Sequence, residues 1–378
     1  MKWLNSSKMV IVLAGFVTVS VLGGGTAKAD FTFGEPTLFG EPVNSPGIEY
    51  FACISSDGLE VYIDKPVSGG ITSSHWDIYV STRGSIDDPW SVPLNLGPIV
   101  NSSGVIDGYA SLSSDDLELY FSGYRPGGYG NQDIWVTTRD SKDSDWGTPV
   151  NLGATINTSY KDWLPWISSN GLELYFSSAR PGGYGGNDIW VATRITTSDE
   201  WEEPVNLGPV VNSTAGDCHP CLSPDGLVFF FSDYDNPSLG FRPGGYGQSD
   251  MYMIRRKSIA DPWEEPVNFG PGMNTSYYES CPRLSPDGSV LYFSSSRPGK
   301  IGGFSDIWQA PIIPIVDFNG DKIVDAEDMC IMVDHWGTDN SLCDIGPMPW
   351  GDGIVDVQDL IVLAEHLFEE LPGRPIEP

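Results

Sequence analysis

The sequence predicts an all-β propeller of five four-stranded blades, closed by the N-terminal strand and followed by a small α-helical module with EF-hand-like calcium loops. Three observations predict it. A unit of 55 to 62 residues recurs five times, each unit alternates apolar and polar residues with a period of two, and an oxygen-rich loop leads into a helical pattern near the C-terminus.

The unit is fixed by "SSDGLEVYI" (55–63), which recurs as "SSDDLELYF", "SSNGLELYF", "SPDGLVFFF" and "SPDGSVLYF". Aligning Asp57, Asp115, Asn170, Asp225 and Asp287 gives spacings of 58, 55, 55 and 62 residues. In "LELYFS", Leu172, Leu174 and Phe176 fall on one face and Glu173 and Tyr175 on the other, as a half-buried strand requires. The Asp-Gly or Asn-Gly ahead of it is a hairpin turn, and a cluster of Pro and Gly follows it. That cluster reads "RPGGYGGNDIW" at 180–190, with copies beginning at Arg125, Arg242, Arg297 and, degenerately, Lys65. Segments of the form WxxPVNLG, from Trp90, Trp146, Trp201 and Trp263, supply a last strand in four of the units. The fourth unit shows four strands in a row: "CHPCLS", "LVFFFS", "DMYMIRR" and "EEPVNF". The fifth unit stops before its last strand, but "FGEPTLFGEPVNS" (33–45) aligns without gaps on "WEEPVNLGPVVNS" (201–213). The N-terminal strand is therefore expected to complete the last blade, which removes the open sheet edge.

The consensus LSPDGxxLYFSSxRPGGxGxxDIW resembles the WD-like propeller repeat of bacterial periplasmic proteins, the class of the Tol-system translocation propeller. The resemblance covers residues 31–311 and implies a fold and a binding or interaction role; it implies no reaction.

The glycine-rich stretch is a turn and not a phosphate loop. A phosphate loop occurs once per domain, leads into a helix and ends in Gly, Lys and Ser or Thr, whereas this stretch recurs between two strands. Its Arg (125, 180, 242, 297, with Lys65 in the first unit) and the Asp that follows (77, 133, 188, 250, 306) are expected to tie the turn to the third strand by charge-assisted hydrogen bonds.

An acid stands eight residues before each aligned Asp or Asn: Glu49, Asp107, Asp162, Asp217 and Glu279. In a propeller the strand that follows lines the central channel, so the five carboxylates are expected around one mouth of it. Three readings are open: they accept backbone N–H groups, they bind a cation or cationic ligand, or a pair serves as the acid and base of a glycoside hydrolase. Two residues further on the units differ, with Phe51, Tyr109, Leu164, His219 and Cys281, and Trp163, Trp166 and Arg283 each occur once. Such asymmetry suits a specific ligand, so the candidate ligand-binding residues are the five acids with Tyr109, Trp163 and His219. No GxSxG or HExxH motif is present, and the four histidines are too scattered for a zinc site.

The formal net charge of −31, from 51 acids against 20 Lys and Arg, disfavours nucleic acid and anionic lipid and suits cations. Lys2 and Lys8, an apolar run from Met9 to about Leu22 and "AKA" before Asp30 match a secretory signal over residues 1–29, cleaved near Ala29. The product is expected to be secreted or periplasmic, with no later membrane span. Six cysteines are then permitted to pair, with Cys330 and Cys343 the first candidate bridge and "CHPC" (218–221) read as structural.

After the propeller (30–311) and a linker (312–316) comes "DFNGDKIVDAED". Asp317, Asn319, Asp321, Asp325 and Asp328 take positions 1, 3, 5, 9 and 12 of a calcium loop, with the backbone oxygen of Ile323 at position 7. A second copy has Asp352, Ile354, Asp356 and Asp359 at positions 5, 7, 9 and 12, but simple counting puts Met348 and Trp350 at positions 1 and 3, so that Asp344 serves only across an insertion. Two such loop-and-helix motifs over 317–371 resemble a type I dockerin. That resemblance implies calcium as cofactor, a cohesin-like protein partner and a setting in extracellular polysaccharide use. Ala326, Glu327, Val357 and Gln358, at the positions the family uses for partner choice, depart from its common Ser and Thr pair. The expected function is a ligand- or protein-binding propeller delivered by a dockerin, with a glycoside hydrolase and a purely structural interaction propeller as alternatives.

Overall fold

Alternating apolar and polar residues bounded by Asp-Gly and Pro-Gly turns leave each repeat one solution, a four-stranded antiparallel blade. A computed structural model describes residues 31–67, 75–234, 241–319, 323–338, 340, 343–346 and 354–368. The expected signal segment 1–29, Asp30, Asp321, Met348, Trp350, Asp352 and the end of the helical module (369–371) lie outside the described residues.

The chain opens with β1 (Phe31–Phe33) and β2 (Thr37–Leu38). Blade one is β3 (Tyr50–Ile54), β4 (Glu60–Pro66), β5 (Trp76–Thr82) and β6 (Leu94–Asn95). Blade two is β7 (Asp107–Leu112), β8 (Glu118–Gly123), β9 (Asp133–Thr138) and β10 (Val150–Asn151). Blade three is β11 (Asp162–Ile167), β12 (Glu173–Ser178), β13 (Asp188–Thr193) and β14 (Val205–Asn206). Blade four is β15 (Gly216–Leu222), β16 (Val228–Tyr234), β17 (Met251–Arg255) and β18 (Val267–Asn268). Blade five is β19 (Glu279–Leu284), β20 (Val290–Ser295) and β21 (Asp306–Pro314), and β2 completes it, with Thr37 opposite Gln309 and Leu38 opposite Trp308.

Closure is locked by a side chain as well as a strand. In four blades an Asn holds the backbone of the third strand in both directions, as Asn157 does by accepting from Ile134 N at 2.7 Å and donating to its carbonyl at 2.9 Å. Asn44 does the same to Ile307, 263 residues away, at 2.8 Å in each direction. The stretch expected as a linker is largely strand: β21 runs to Pro314, and Ile312, Ile313 and Pro314 pair with β1. Its apolar residues have a sheet edge to cover, which a free linker would leave open.

The blades pack through five apolar clusters, one between each neighbouring pair. One repeat position anchors each cluster: Ile63, Phe121, Phe176, Phe231 and Phe293, all with no exposed surface. Each buried side chain of this kind stabilises by about 1.5–3 kcal/mol.

Two short helices, α1 (Ala326–Asp334) and α2 (Val357–Glu365), follow, around a separate core that includes Val316, Val324, Met332, Ile345 and Leu363. The expected Cys330–Cys343 bridge is absent: Cys330 is exposed on α1, whereas Cys343 is buried in that core. No helix among the described residues is long and apolar enough to cross a membrane.

Candidate functional site at the channel mouth

The five repeated acids are wholly buried and engaged within their own blades. Asp162 accepts from Arg180 Nη2 at 2.7 Å, Ser178 Oγ at 2.5 Å and Thr158 N at 2.6 Å. Asp107 pairs with Arg125 at 2.7 Å, Asp217 with Arg242 at 3.1 Å, Glu279 with Arg297 at 3.5 Å and Glu49 with Lys65 at 3.0 Å. Burial pushes Asp107 and Asp217 above the usual carboxylate range, with the neighbouring arginine opposing it. Of the three readings, the geometry fits the structural one, in which each acid caps the turn ahead of its strand.

This corrects the expected partner of the repeat arginine. The guanidinium reaches back to the acid of the first strand and to a turn carbonyl, as Arg180 does to Ile156 O at 2.5 Å. The Asp of "DIW" instead folds the glycine turn onto itself: Asp188 accepts from Tyr184 N at 2.6 Å, Gly185 N at 2.9 Å and Asn206 Nδ2 at 2.8 Å. Glycine is required there, since Gly182 has φ +99° and a Cβ on Gly183 would collide with the Asp188 carboxylate.

The innermost strands share a second device. All five break register in mid-strand, as between Trp163 and Trp166. At the break, Tyr109, Leu164, His219 and Cys281 hold φ of 55–58°, left-handed backbone that is costly for residues other than glycine and concentrates at functional positions. Their backbone N–H groups need acceptors. Leu164 N donates to Ser122 Oγ at 2.8 Å and Phe51 N to Ser294 Oγ at 3.0 Å, but Tyr109 N donates to Asp64 Oδ2 at 2.8 Å. Asp64 thus replaces the serine found at the aligned positions 122, 177, 232 and 294. It is an acid that departs from the repeat pattern, and sequence reasoning missed it. The signal was the single Asp in a column of serines, concealed because the repeat degenerates after it.

Asp64 lines a cavity of about 90 Å³ at the mouth where the innermost strands begin, with Trp76, Ile106, Gly108, Tyr109, Gln132, Lys161 and Trp163. The cavity belongs to blades one to three. Asp64 is 2% and Gln132 4% exposed, and Asp64 Oδ1 and Gln132 Oε1 are buried acceptors without a hydrogen-bond partner. Burial raises the Asp64 carboxyl to about 7, against the Tyr109 N–H and the Arg283 charge, and lowers Lys161 to about 7. Lys161 Nζ sits 2.9 Å from the centre of the Trp163 ring. Of the residues singled out from sequence, Tyr109 and Trp163 line the cavity and meet edge-to-face at 5.5 Å, with His219 behind them at 6.1 and 6.3 Å. His219 is held neutral, first by burial, and its Nδ1 lies 2.8 Å from Ser232 Oγ. None of the five repeated acids lines the cavity.

Arg283, 1% exposed, closes the channel beneath. Its Nε donates to Ala52 O at 2.8 Å and its Nη1 to Pro220 O at 3.0 Å, and it lies over Trp166 at 5.0 Å, so it joins blades one, three, four and five. Cys218 and Cys221 are buried and their thiols are pushed up by burial, Cys221 to about 11, so they stand far from thiolate chemistry.

In the helical module the two halves repeat each other's hydrogen bonds. Asp328 Oδ1 accepts from Phe318 N at 2.7 Å and Asn319 N at 3.2 Å; Asp359 Oδ1 accepts from Ile345 N at 2.5 Å and Gly346 N at 2.7 Å. Each acid also caps its helix reciprocally with Asp325 or Asp356. This register pairs Asp344 with Asp317 across an insertion, and replaces the count that put Met348 at position 1. Among the described residues no three His, Cys, Asp or Glu side chains are grouped to hold a metal ion.

No family model matches the chain, and no curated protein does. Among solved structures it is similar to a putative TolB from Agrobacterium tumefaciens (19% identity, TM-score 0.39, 69% of this chain and 73% of that one). It is also similar to TolB from Acinetobacter baumannii (12%, 0.39, 68% and 53%) and to an α-L-arabinofuranosidase from Lactobacillus brevis (13%, 0.46, 71% and 91%). The chain spans about half the length of the Acinetobacter protein. These are distant likenesses, and no functional argument rests on them.

Proposed function

We propose that the protein is an exported two-module protein that binds a glycan at the channel mouth of its propeller and is attached to a cohesin-like partner by a calcium-loaded, dockerin-like module. One observation carries the binding reading: the residues around the mouth cavity differ from blade to blade, while the acids that repeat are engaged in holding the blades. A scaffold needs only the repeat, and a ligand needs the exceptions. Exposed Tyr129, Tyr184 and Tyr246, on the glycine turns of the same face, add aromatic surface of the kind that stacks on sugar rings.

A glycoside hydrolase is the weaker reading. It needs two carboxylates about 5–10 Å apart across the scissile bond, and among the described residues Asp64 is the only carboxylate lining the cavity. Calcium rests on the spacing of Asp317, Asn319, Asp321, Ile323, Asp325 and Asp328, and of Asp352, Ile354, Asp356 and Asp359 with Asp344. These are hard oxygen donors, and calcium would fix each loop against the helix it precedes. The test is a panel of polysaccharides incubated with the calcium-loaded full chain, scoring retention and release of reducing sugar. Retention without release is expected. Release would make the protein an enzyme, and neither would turn the search to a protein partner.

A further inference from the structure

We infer that the cavity between blades one and three seats a single neutral sugar unit, with adjacent hydroxyls donating to Asp64 Oδ1 and Gln132 Oε1 and accepting from Lys161. The inference rests on the glycan-binding reading and names its site and the class of sugar.

Four observations lead to it. The first is the pair of open acceptors: both side chains are more than nine-tenths buried, both line the cavity, and each has an oxygen that no protein group reaches. Buried acceptors are rarely left open unless something supplies the donor. The second is charge. The lining holds one carboxyl and one amine, which balance when both are ionised, so the site suits a neutral molecule bearing both donors and acceptors. A vicinal diol is that molecule, whereas an ammonium ion would meet Lys161 and a carboxylate would meet Asp64. The third is size. About 90 Å³, at roughly 10–15 Å³ of such volume per water, holds about six to nine water-sized groups, enough for one sugar ring. The fourth is the wall, where Trp76, Tyr109 and Trp163 offer ring faces and edges to the C–H groups of a sugar.

The repeats themselves supply substitutions that the fold accepts. Serine stands at the position of Asp64 in the other four blades and takes the same backbone N–H in two of them. Serine also stands at the position of Gln132 in blades four and five, as Ser249 and Ser305. The experiment is affinity electrophoresis of the calcium-loaded full chain through arabinoxylan, arabinogalactan, xyloglucan and polygalacturonate, with wild type, Asp64→Ser and Gln132→Ser, and thermal unfolding of each. The expected result is retardation by at least one neutral polymer, weakened about tenfold or more by each substitution, reversed by the methyl glycoside of that polymer's terminal sugar and not by ethylammonium chloride. Retardation equal in wild type and both variants would overturn the inference and leave glycan binding standing elsewhere on the face. Preference for polygalacturonate, or competition by ethylammonium, would overturn the neutral sugar. Absence of retardation in any polymer would sink the glycan-binding reading along with it.

Discussion

At the scale of single residues, the repeated and the unrepeated acids do opposite things. Asp162 is buried against Arg180, so Asp162→Asn leaves a guanidinium without its carboxylate and is expected to cost about 3–5 kcal/mol in a urea titration. Glycan retention by the folded fraction should not change; a selective loss of retention would return Asp162 to the ligand site. Asp64 and Asp233 are both raised to about 7 by burial, against the backbone N–H groups of Tyr109 and Asp250 that donate to them. A carboxyl raised on folding holds its proton more tightly in the native state, so its contribution is complete at acid pH and is lost as pH rises through the folded value. The stability of the Asp64→Ser, Asp233→Ser double variant relative to wild type should therefore grow from pH 5 to pH 7. A difference that stays flat across that range would contradict the assignment. The repeated acids were legible in the sequence because they repeat, and for the same reason they are structural. Asp64, Gln132 and Lys161 were missed because alignment of repeats draws the eye to what recurs, and a ligand site in a symmetric scaffold is made where recurrence fails.

At the scale of elements, the closing strand was legible to the residue: Thr37 and Leu38 pair where their aligned counterparts Val205 and Asn206 do. The same alignment carries Asn44 into the role of Asn212. Removing the carboxamide orphans the buried N–H of Ile307, while its carbonyl still accepts from Phe39 N at 3.0 Å, at about 1–3 kcal/mol for the orphaned group, so Asn44→Ala should lose as much stability as Asn157→Ala inside a single chain segment. A much smaller loss would mean that the ends of the chain do not lock the ring. The stretch "PIIPIV" reads as a break in sequence because prolines stand at its first and fourth positions. The pairing with β1 is set by a partner more than 270 residues away, which local pattern does not report. The mid-strand breaks were equally invisible, because the left-handed residue is a Tyr, Leu, His or Cys and no glycine marks it.

At the scale of the whole molecule, the propeller and the helical module have separate cores, and the calcium proposed above would act on the second. Binding to the folded state alone stabilises by about 2.7 kcal/mol at a hundredfold excess over Kd, so chelation should lower the calorimetric transition of the module and leave that of the propeller in place. Asp344→Ala should lower the calcium stoichiometry of the full chain from two to one; an unchanged value would show that Asp344 is no ligand. The central claim concerns the mouth cavity, and the most direct measurement is a crystal of the calcium-loaded full chain soaked with an oligosaccharide from whichever polymer retains it. The account predicts an intact oligosaccharide with one terminal ring against Tyr109 and Trp163 and its hydroxyls within hydrogen-bond reach of Asp64 and Gln132. A cleaved product, or a sugar seated only on the outer tyrosines with the cavity left to water, would contradict it.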